Sequence, residues 1–386
     1  MYYSSTIFNQ ILSFVPRHVL RRLVGQHKSD HYTKKLTTWN QFVLLMYAQA
    51  TGKESLREIE IGLKTHTQLW NHLGIQTVAK SSLARVNDGR SYKIFEALFY
   101  ELLKNCQSCC VTRNFTFENP LYALDATTIA LCLNLCDWAL YQRTKGAVKL
   151  HTLLNNRTNI PELITVSTGK VADITAAKAL SLTIPPSSII VFDRGYQDYT
   201  WWNKLNTDGI FFVTRPRVNS LLIVSGIHAL AAETILADET VWVGDIMKAH
   251  YPHELRRVTY KHDDGTVYQY LTNNFILSGM EIALVYKERW RIELFFKWIK
   301  QNLKIKSFLG TSQNAVLSQL WVAMIYYLLL SYIKFQTRFP RSLLELTRMV
   351  RETLFVRRSL IDLLSLTSKT VSRLETKIVV QGRFEF

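Results

Sequence analysis

Acidic side chains are scarce in this chain. Its 386 residues carry 30 Asp and Glu against 47 Lys and Arg, a formal net charge of +17. That deficit points to a polyanionic partner bound with steep salt dependence, most simply nucleic acid, with an anionic membrane as the competing surface. Cysteine is also sparse. The five present, Cys106, Cys109, Cys110, Cys132 and Cys136, are odd in number, which speaks against a paired disulfide framework. Neither Cys106-x2-Cys109-Cys110 nor Cys132-x3-Cys136 has a matching His pair nearby, so reduced, partly buried thiols are expected rather than structural zinc. The opening Met1-Tyr2-Tyr3-Ser4-Ser5 lacks a basic segment followed by an apolar core, and no secretory leader is expected. The most apolar stretch, Leu320 to Ile333, contains Ser331 and is followed by Lys334. It is shorter than the ~20 residues that span a bilayer and reads as a buried helix.

Apolar side chains are plentiful, at 48% of the chain, enough to bury a substantial core over two or three domains. The positive charge is spread out: residues 1–110 hold 14 Lys and Arg against 7 Asp and Glu, and residues 301–386 hold 13 against 5. Several parts of the molecule are therefore expected to touch the same polyanion. Residues 1–115 read as a helical, DNA-binding domain, with helix-period apolar positions over 8–22, 39–50 and 55–69. Leu73-Gly74-Ile75 followed by Ser81 to Arg90 resembles a helix-turn-helix, with Ser81 or Ser82 as cap and Arg85 and Asn87 on the second helix. A purely structural helix pair fits the same residues.

From Pro120 the pattern changes to strands, at 121–131, 147–154 and 163–168, as in an antiparallel meander. A helix over 173–182, a short buried strand over 188–192, a helix over 199–205 and a strand over 210–214 follow. The result is an α/β mixed sheet. Residues 216–276 read as a β-rich insertion with a hairpin at Asp263-Asp264-Gly265. Residues 277–386 return to helix, and 116–386 is taken as a second domain.

One segment of that last part, Val285 to Lys300, places Tyr286, Arg289, Glu293 and Lys300 within an arc of about 60° if it forms one helix. A carboxylate among Tyr, Arg and Lys suits a meeting of cation and phosphate. An ordinary solvated helix face has the same i,i+4 pairs. Two further acids bear on the choice. Asp125 interrupts an apolar strand, where an unpaired carboxylate is costly. Asp193 ends a buried strand, where ligands collect in α/β sheets. Acids that converge repel one another unless a divalent cation intervenes, and hard oxygen ligands favour Mg²⁺. Gly195 after Asp193-Arg194 permits a sharp exit from the strand, and Arg194 is a candidate phosphate ligand. Lys149 and His151, two apart on the second strand, are expected near Asp125. Asp173 is a candidate fourth site acid, with capping of the helix that follows it the commoner role for an Asp there. The spacing Tyr-x2-Arg-x3-Glu-x6-Lys arises by chance on the order of once in a few hundred chains of this length.

These residues resemble the DDE transposases of bacterial insertion sequences, in the insertion-sequence-four group marked by a YREK signature. Tyr286, Arg289, Glu293 and Lys300 match the signature. Leu124-Asp125-Ala126-Thr127 resembles the first acidic motif and Phe192-Asp193-Arg194-Gly195-Tyr196 the second. The resemblance implies an RNase H-like catalytic domain with a β insertion before the catalytic Glu. It also implies two Mg²⁺ or Mn²⁺ ions held by Asp125, Asp193 and Glu293. Cutting at the element ends and attack of the freed 3′-hydroxyl on target DNA would follow, with Tyr286, Arg289 and Lys300 on phosphates. A homodimer on paired double-stranded ends and a nucleoid-associated place in a bacterial cytoplasm are expected, with no membrane partner. A metal-dependent nuclease without strand transfer, or a non-catalytic domesticated DNA-binding protein, are the alternatives.

Overall fold

A computed structural model describes residues 5–71, 73–107, 115–132, 136–142, 145–179, 184–230, 232–244, 250–305 and 307–365. The chain forms two compact units, one from residues 1–110 and 302–386, the other from 111–301. Residues from 302 onward thus group with the N-terminal helices, whereas the sequence reading kept everything after 116 together.

The first unit opens with helices α1 (Ile7–Ser13), α2 (Arg17–Gln26), α3 (Thr38–Thr51), α4 (Leu56–Thr65), α5 (Thr67–Asn71), α6 (Lys80–Gly89) and α7 (Lys93–Gln107). Residues 8–22, expected as one helix, are two. Pro16 stands between α1 and α2 as the N-cap of the second; it has no N–H to donate to a continuing ladder and disfavours helix in the residue before it. The helix-turn-helix reading does not hold at α6. Its N-cap is Ala79, without a side-chain bond, rather than Ser81 or Ser82. Asn87 is buried and accepts a hydrogen bond from Gln41 Nε2 at 2.9 Å, so it faces the core of the unit rather than a groove. Arg85 alone of the expected pair is exposed.

The second unit is built on one mixed sheet. Its strands are β1 (Leu121–Leu131), β2 (Leu140–Gln142), β3 (Lys145–Asn155), β4 (Ile160–Thr168), β5 (Ile189–Val191), β6 (Phe211–Thr214), β7 (Leu222–Ile227), β8 (Ile235–Val243), β9 (Leu255–Lys261) and β10 (Val267–Thr272). They run in the order β2-β3-β1-β5-β6-β10-β9-β8-β7, with β4 also on β3. The pairs β1–β3 and β3–β4 are antiparallel, and β5 and β6 join parallel to β1. Helices α8 (Asp173–Ala179) and α9 (Tyr199–Thr207) make the two crossovers. Three antiparallel strands followed by two parallel ones is the RNase H-like arrangement. The β-rich stretch over 216–276 extends the same sheet, because β10 pairs antiparallel with β6. The β9–β10 hairpin turns at Asp264-Gly265, where Gly265 has φ 85°, a left-handed value that a Cβ would strain. Under β5 and β6, Phe192, Trp201, Trp202 and Phe212 form a buried aromatic cluster, which fixes the backbone from which Asp193 emerges.

The sheet is followed by α10 (Gly279–Glu288) and α11 (Trp290–Asn302), and the first unit is completed by α12 (Gln313–Gln336), α13 (Leu343–Thr353) and α14 (Leu360–Leu364). A reciprocal Ser278–Glu281 capping box starts α10. At 24 residues α12 is longer than expected, and by length and composition it could cross a membrane. Its most apolar window is 89% buried, and the helix packs on α3, α6, α7 and α13 of its own unit.

Candidate active site

The parallel pairing of β1 and β5 aligns two acids. Leu121, Tyr122 and Ala123 stand opposite Ile189, Ile190 and Val191. Two residues further along each strand come Asp125 and Asp193, side by side at the C-terminal end of β5. Ala126 N–H donates to Asp125 Oδ1 at 2.7 Å. Asp193 caps the 3₁₀ turn Arg194–Tyr196, its Oδ1 accepting from Gly195 N–H at 2.8 Å. A Cβ on residue 195 would lie 2.9 Å from that same oxygen, so this close approach requires glycine.

The segment carrying Tyr286, Arg289, Glu293 and Lys300 is not one helix. It breaks at Arg289, between α10 and α11. The cause is a side chain from the sheet. The buried Asn156, just past β3, donates its Nδ2–H to the carbonyl of Glu288 at 2.8 Å. The amide that would have bonded that carbonyl, Ile292 N–H, bonds Arg289 O instead at 3.2 Å. Glu293 consequently sits in the first turn of α11, where the helix dipole favours a carboxylate. Glu293 and Lys300, seven apart, keep one face of α11, whereas Tyr286 belongs to α10. Sequence reasoning missed Asn156, because its partner is a main-chain carbonyl 132 residues away. Asn156→Ala is expected to lower the cleavage rate about tenfold and stability by about 1 kcal/mol, the value of one buried hydrogen bond. Kinetics alongside denaturant melts check this, and a variant with unchanged rate would remove Asn156 from the positioning of Arg289.

At the break the guanidinium of Arg289 turns between two acids. Its Nη2 donates to Glu293 Oε1 at 2.7 Å, and its Nη1 lies 3.9 Å from Asp125 Oδ2. All three side chains are partly buried. Desolvation by burial pushes the Asp125 carboxyl up to about 6; the Ala126 amide and Arg289 pull it down, and Asp193 and Glu293 push it further up. Tyr196, beside these acids, has its phenol held far above its ordinary range by burial, with its hydroxyl buried and without a hydrogen-bond partner. Burial also raises the Tyr286 phenol, whose ring lies 4.9 Å from that of Tyr270 and under Arg289 at 5.7 Å. Tyr286 thus stays a hydrogen-bond donor at neutral pH.

The other expected residues divide. Lys300 lies half-buried in the last turn of α11, and Arg194 is exposed beside Asp193. Lys149 and His151 do not gather at Asp125. The register pairs Asp125 with Thr152, which puts the side chains of 149 and 151 on the other face of the sheet. There Lys149 Nζ contacts Asp173 Oδ1 at 3.1 Å, and His151 Nε2 lies 2.8 Å from Ser167 Oγ. Next to Arg289 and Tyr286 opens a cavity of about 290 Å³, lined also by Arg215, Tyr268, Tyr270 and Trp290. A larger cavity of about 940 Å³, lined by Gln197, Arg217, Ser220 and His250, contains none of the three acids.

Among the described residues no three His, Cys, Asp or Glu side chains are gathered closely enough to hold a metal ion. The donor chemistry still fits a hard divalent cation. Asp125 and Glu293 already converge on one positive group, and burial, with the neighbouring acids Asp193 and Glu293, makes Asp125 resist ionisation until further positive charge arrives.

A model described as a transposase DDE domain matches residues 116–329, a span that includes Asp125, Asp193, Arg289 and Glu293. The chain belongs to the DDE transposase family. A domain of unknown function matches residues 3–76. The transposase is 36% identical over 245 residues to a Sinorhizobium fredii protein named as transposase y4zB, covering 62% of this chain and 68% of that one. It is 28% identical over 250 residues to a Geobacillus stearothermophilus protein named as a transposase for insertion sequence element IS5377, covering 64% and 65%. A solved piggyBac transposase synaptic complex with hairpin DNA aligns at TM-score 0.45 and 10% identity, over 97% of this chain and 83% of that one. The transposase is thus a DNA-acting enzyme of the bacterial insertion-sequence kind, in a family whose chemistry depends on divalent metal.

Proposed function

We propose that Asp125, Asp193 and Glu293 are the metal-holding triad of this transposase and that it belongs to the YREK-bearing insertion-sequence-four group. The observation that supports this most is the Arg289 guanidinium placed between Asp125 and Glu293, beside Asp193. Two such carboxylates, Asp125 of them desolvated, with Asp193 alongside form a site short of positive charge. Two Mg²⁺ or Mn²⁺ ions held there would activate the attacking oxygen and stabilise the leaving oxygen of a phosphodiester. Arg289, Lys300 and Arg194 bind phosphate oxygens, and the Tyr286 hydroxyl donates to a neighbouring one.

The substrate is double-stranded DNA: element terminal repeats first, then target, attacked by the freed 3′-hydroxyl. A homodimer holding two ends supplies the geometry for paired insertion, at the bacterial nucleoid. Residues 1–115 engage the ends. The test is an in vitro assay on labelled element ends and plasmid target. Wild-type chain should cut and join with Mg²⁺ or Mn²⁺, and Asp193→Asn or Glu293→Gln should do neither while still shifting DNA in a gel. Cutting by either variant would remove its residue from the triad. Cutting without joining by wild type would make the chain a nuclease.

A further inference from the structure

The first unit carries a basic surface that the reading of the active site does not use. Between residues 17 and 35 lie Arg17, Arg21, Arg22, Lys28, Lys34 and Lys35, with His18, His27 and His31 among them, and Asp30 is the one acid. All six Lys and Arg side chains are exposed. Arg22 is paired with Glu101 at 3.1 Å, and Arg17 lies over the Trp39 ring at 4.1 Å. Asp30 does not neutralise the rest. Its Oδ1 accepts from Thr38 N–H at 2.7 Å and Thr38 Oγ1 at 2.8 Å, and lies 3.1 Å from Arg90.

That inward network fixes the shape of the loop between α2 and α3. Arg90 is 7% exposed and donates to Ser29 O, Leu36 O, Thr33 Oγ1 and Gln41 Oε1. A buried guanidinium spent mainly on one loop is costly unless every donor is used well. It holds two non-glycine residues in left-handed backbone, Lys28 at φ 48° and Tyr32 at φ 62°. Tyr32 is left 93% exposed, its ring 4.0 Å from that of His31. A merely solvated loop needs no such scaffold. The loop is pre-ordered with its cations and one aromatic outward, which lowers the entropy lost on binding a regular polyanion.

We infer that α2 and the Arg90-pinned loop form a docking surface for the phosphate backbone of duplex DNA. The surface positions the duplex without reading its bases: Arg21, Lys28, Lys34 and Lys35 neutralise phosphates, and the Tyr32 hydroxyl donates to one. This rests on the reading of the chain as a DNA-handling enzyme. It replaces the expected recognition helix at α6, whose Asn87 is turned inward.

The test is the full-length triple variant Arg21→Ala, Lys34→Ala, Lys35→Ala. All three side chains lie outside the buried Arg90 network, so circular dichroism and melting should match wild type. Binding to duplexes with and without the element ends is measured from 50 to 300 mM salt. For both duplexes the slope of log K against log salt should fall by about 2–3, with affinity at low salt lower by roughly 10- to 100-fold. Unchanged slope and affinity overturn the assignment. So does a loss confined to element-end duplexes, which would mean base reading. Binding to vesicles with one-third phosphatidylserine is the parallel arm; a variant that loses vesicles but keeps DNA overturns the inference in favour of a membrane surface. If wild type shows no salt-dependent duplex binding at all, the DNA-handling reading itself falls, a result distinct from the others.

Discussion

Replacing Asp125 with Asn is expected to abolish cleavage and to raise the melting temperature of the chelator-treated protein. The two effects have one cause. Asp125 sits where β1 leaves its buried stretch, and desolvation together with Asp193 and Glu293 moves its ionisation from 3.8 to about 6. An acid whose pKa rises on folding stabilises the fold below its unfolded value, and loses that contribution as pH climbs through its folded value. At pH 7 the ionised carboxylate is therefore a cost. A shift of about two units corresponds to an upper bound near 3 kcal/mol, so Asn in its place should return about 1–3 kcal/mol at pH 7 and almost nothing at pH 3.5. Catalysis moves the other way. A neutral amide is a poor ligand for a hard cation, and cleavage should drop on the order of 10³-fold or more. Thermal melts with and without Mg²⁺ connect the two. Metal at about 100 times its dissociation constant should stabilise wild type by about 2.7 kcal/mol and the variant far less. A variant that is less stable than wild type at pH 7, or equally stabilised by Mg²⁺, would show that Asp125 is an ordinary structural carboxylate.

The parts of this arrangement that were legible in the sequence are those with local causes. β1 runs over Leu121–Leu131 as its apolar, β-branched residues require, and Asp125 stands out because nothing apolar tolerates a bare carboxylate. Asp193 is marked by the buried run before it and by Gly195 after it. The hairpin at Asp264-Gly265 declares itself through turn chemistry. What stayed hidden depends on distant partners. The spacing of Tyr286, Arg289, Glu293 and Lys300 is compatible with one helix, and only Asn156 reaching the Glu288 carbonyl divides it. Lys149 and His151 share a face in the sequence, but the pairing of Asp125 with Thr152 decides that it is the opposite face. Asn87 reads as a groove contact until Gln41, on another helix, is found to bond it.

The break at Arg289 leads to the second large effect. Arg289→Ala should cut the rate of end cleavage about 100-fold and reduce the salt slope of end binding by about one, the loss of one phosphate contact. In chelator-treated protein the same change leaves Asp125 and Glu293 facing each other without the guanidinium now shared between them. Asp125 should then hold its proton to still higher pH, and stability at pH 7 should fall by about 1–2 kcal/mol, within the range for a partly buried charged pair. Arg289→Lys should recover only part of both losses, because an ammonium can sit at one carboxylate but lacks the fork that spans two. A double-mutant cycle isolates the cause. In an Asp125→Asn background the stability cost of Arg289→Ala should shrink by about 1 kcal/mol, since one of the two charges it offsets is already gone. Additive costs in that cycle would mean that Arg289 stabilises the fold through packing on Tyr286 and its bond to Glu293 alone. Its place beside Asp125 would then be incidental, and the case for a shared cation site would rest on the alignment of Asp125 with Asp193.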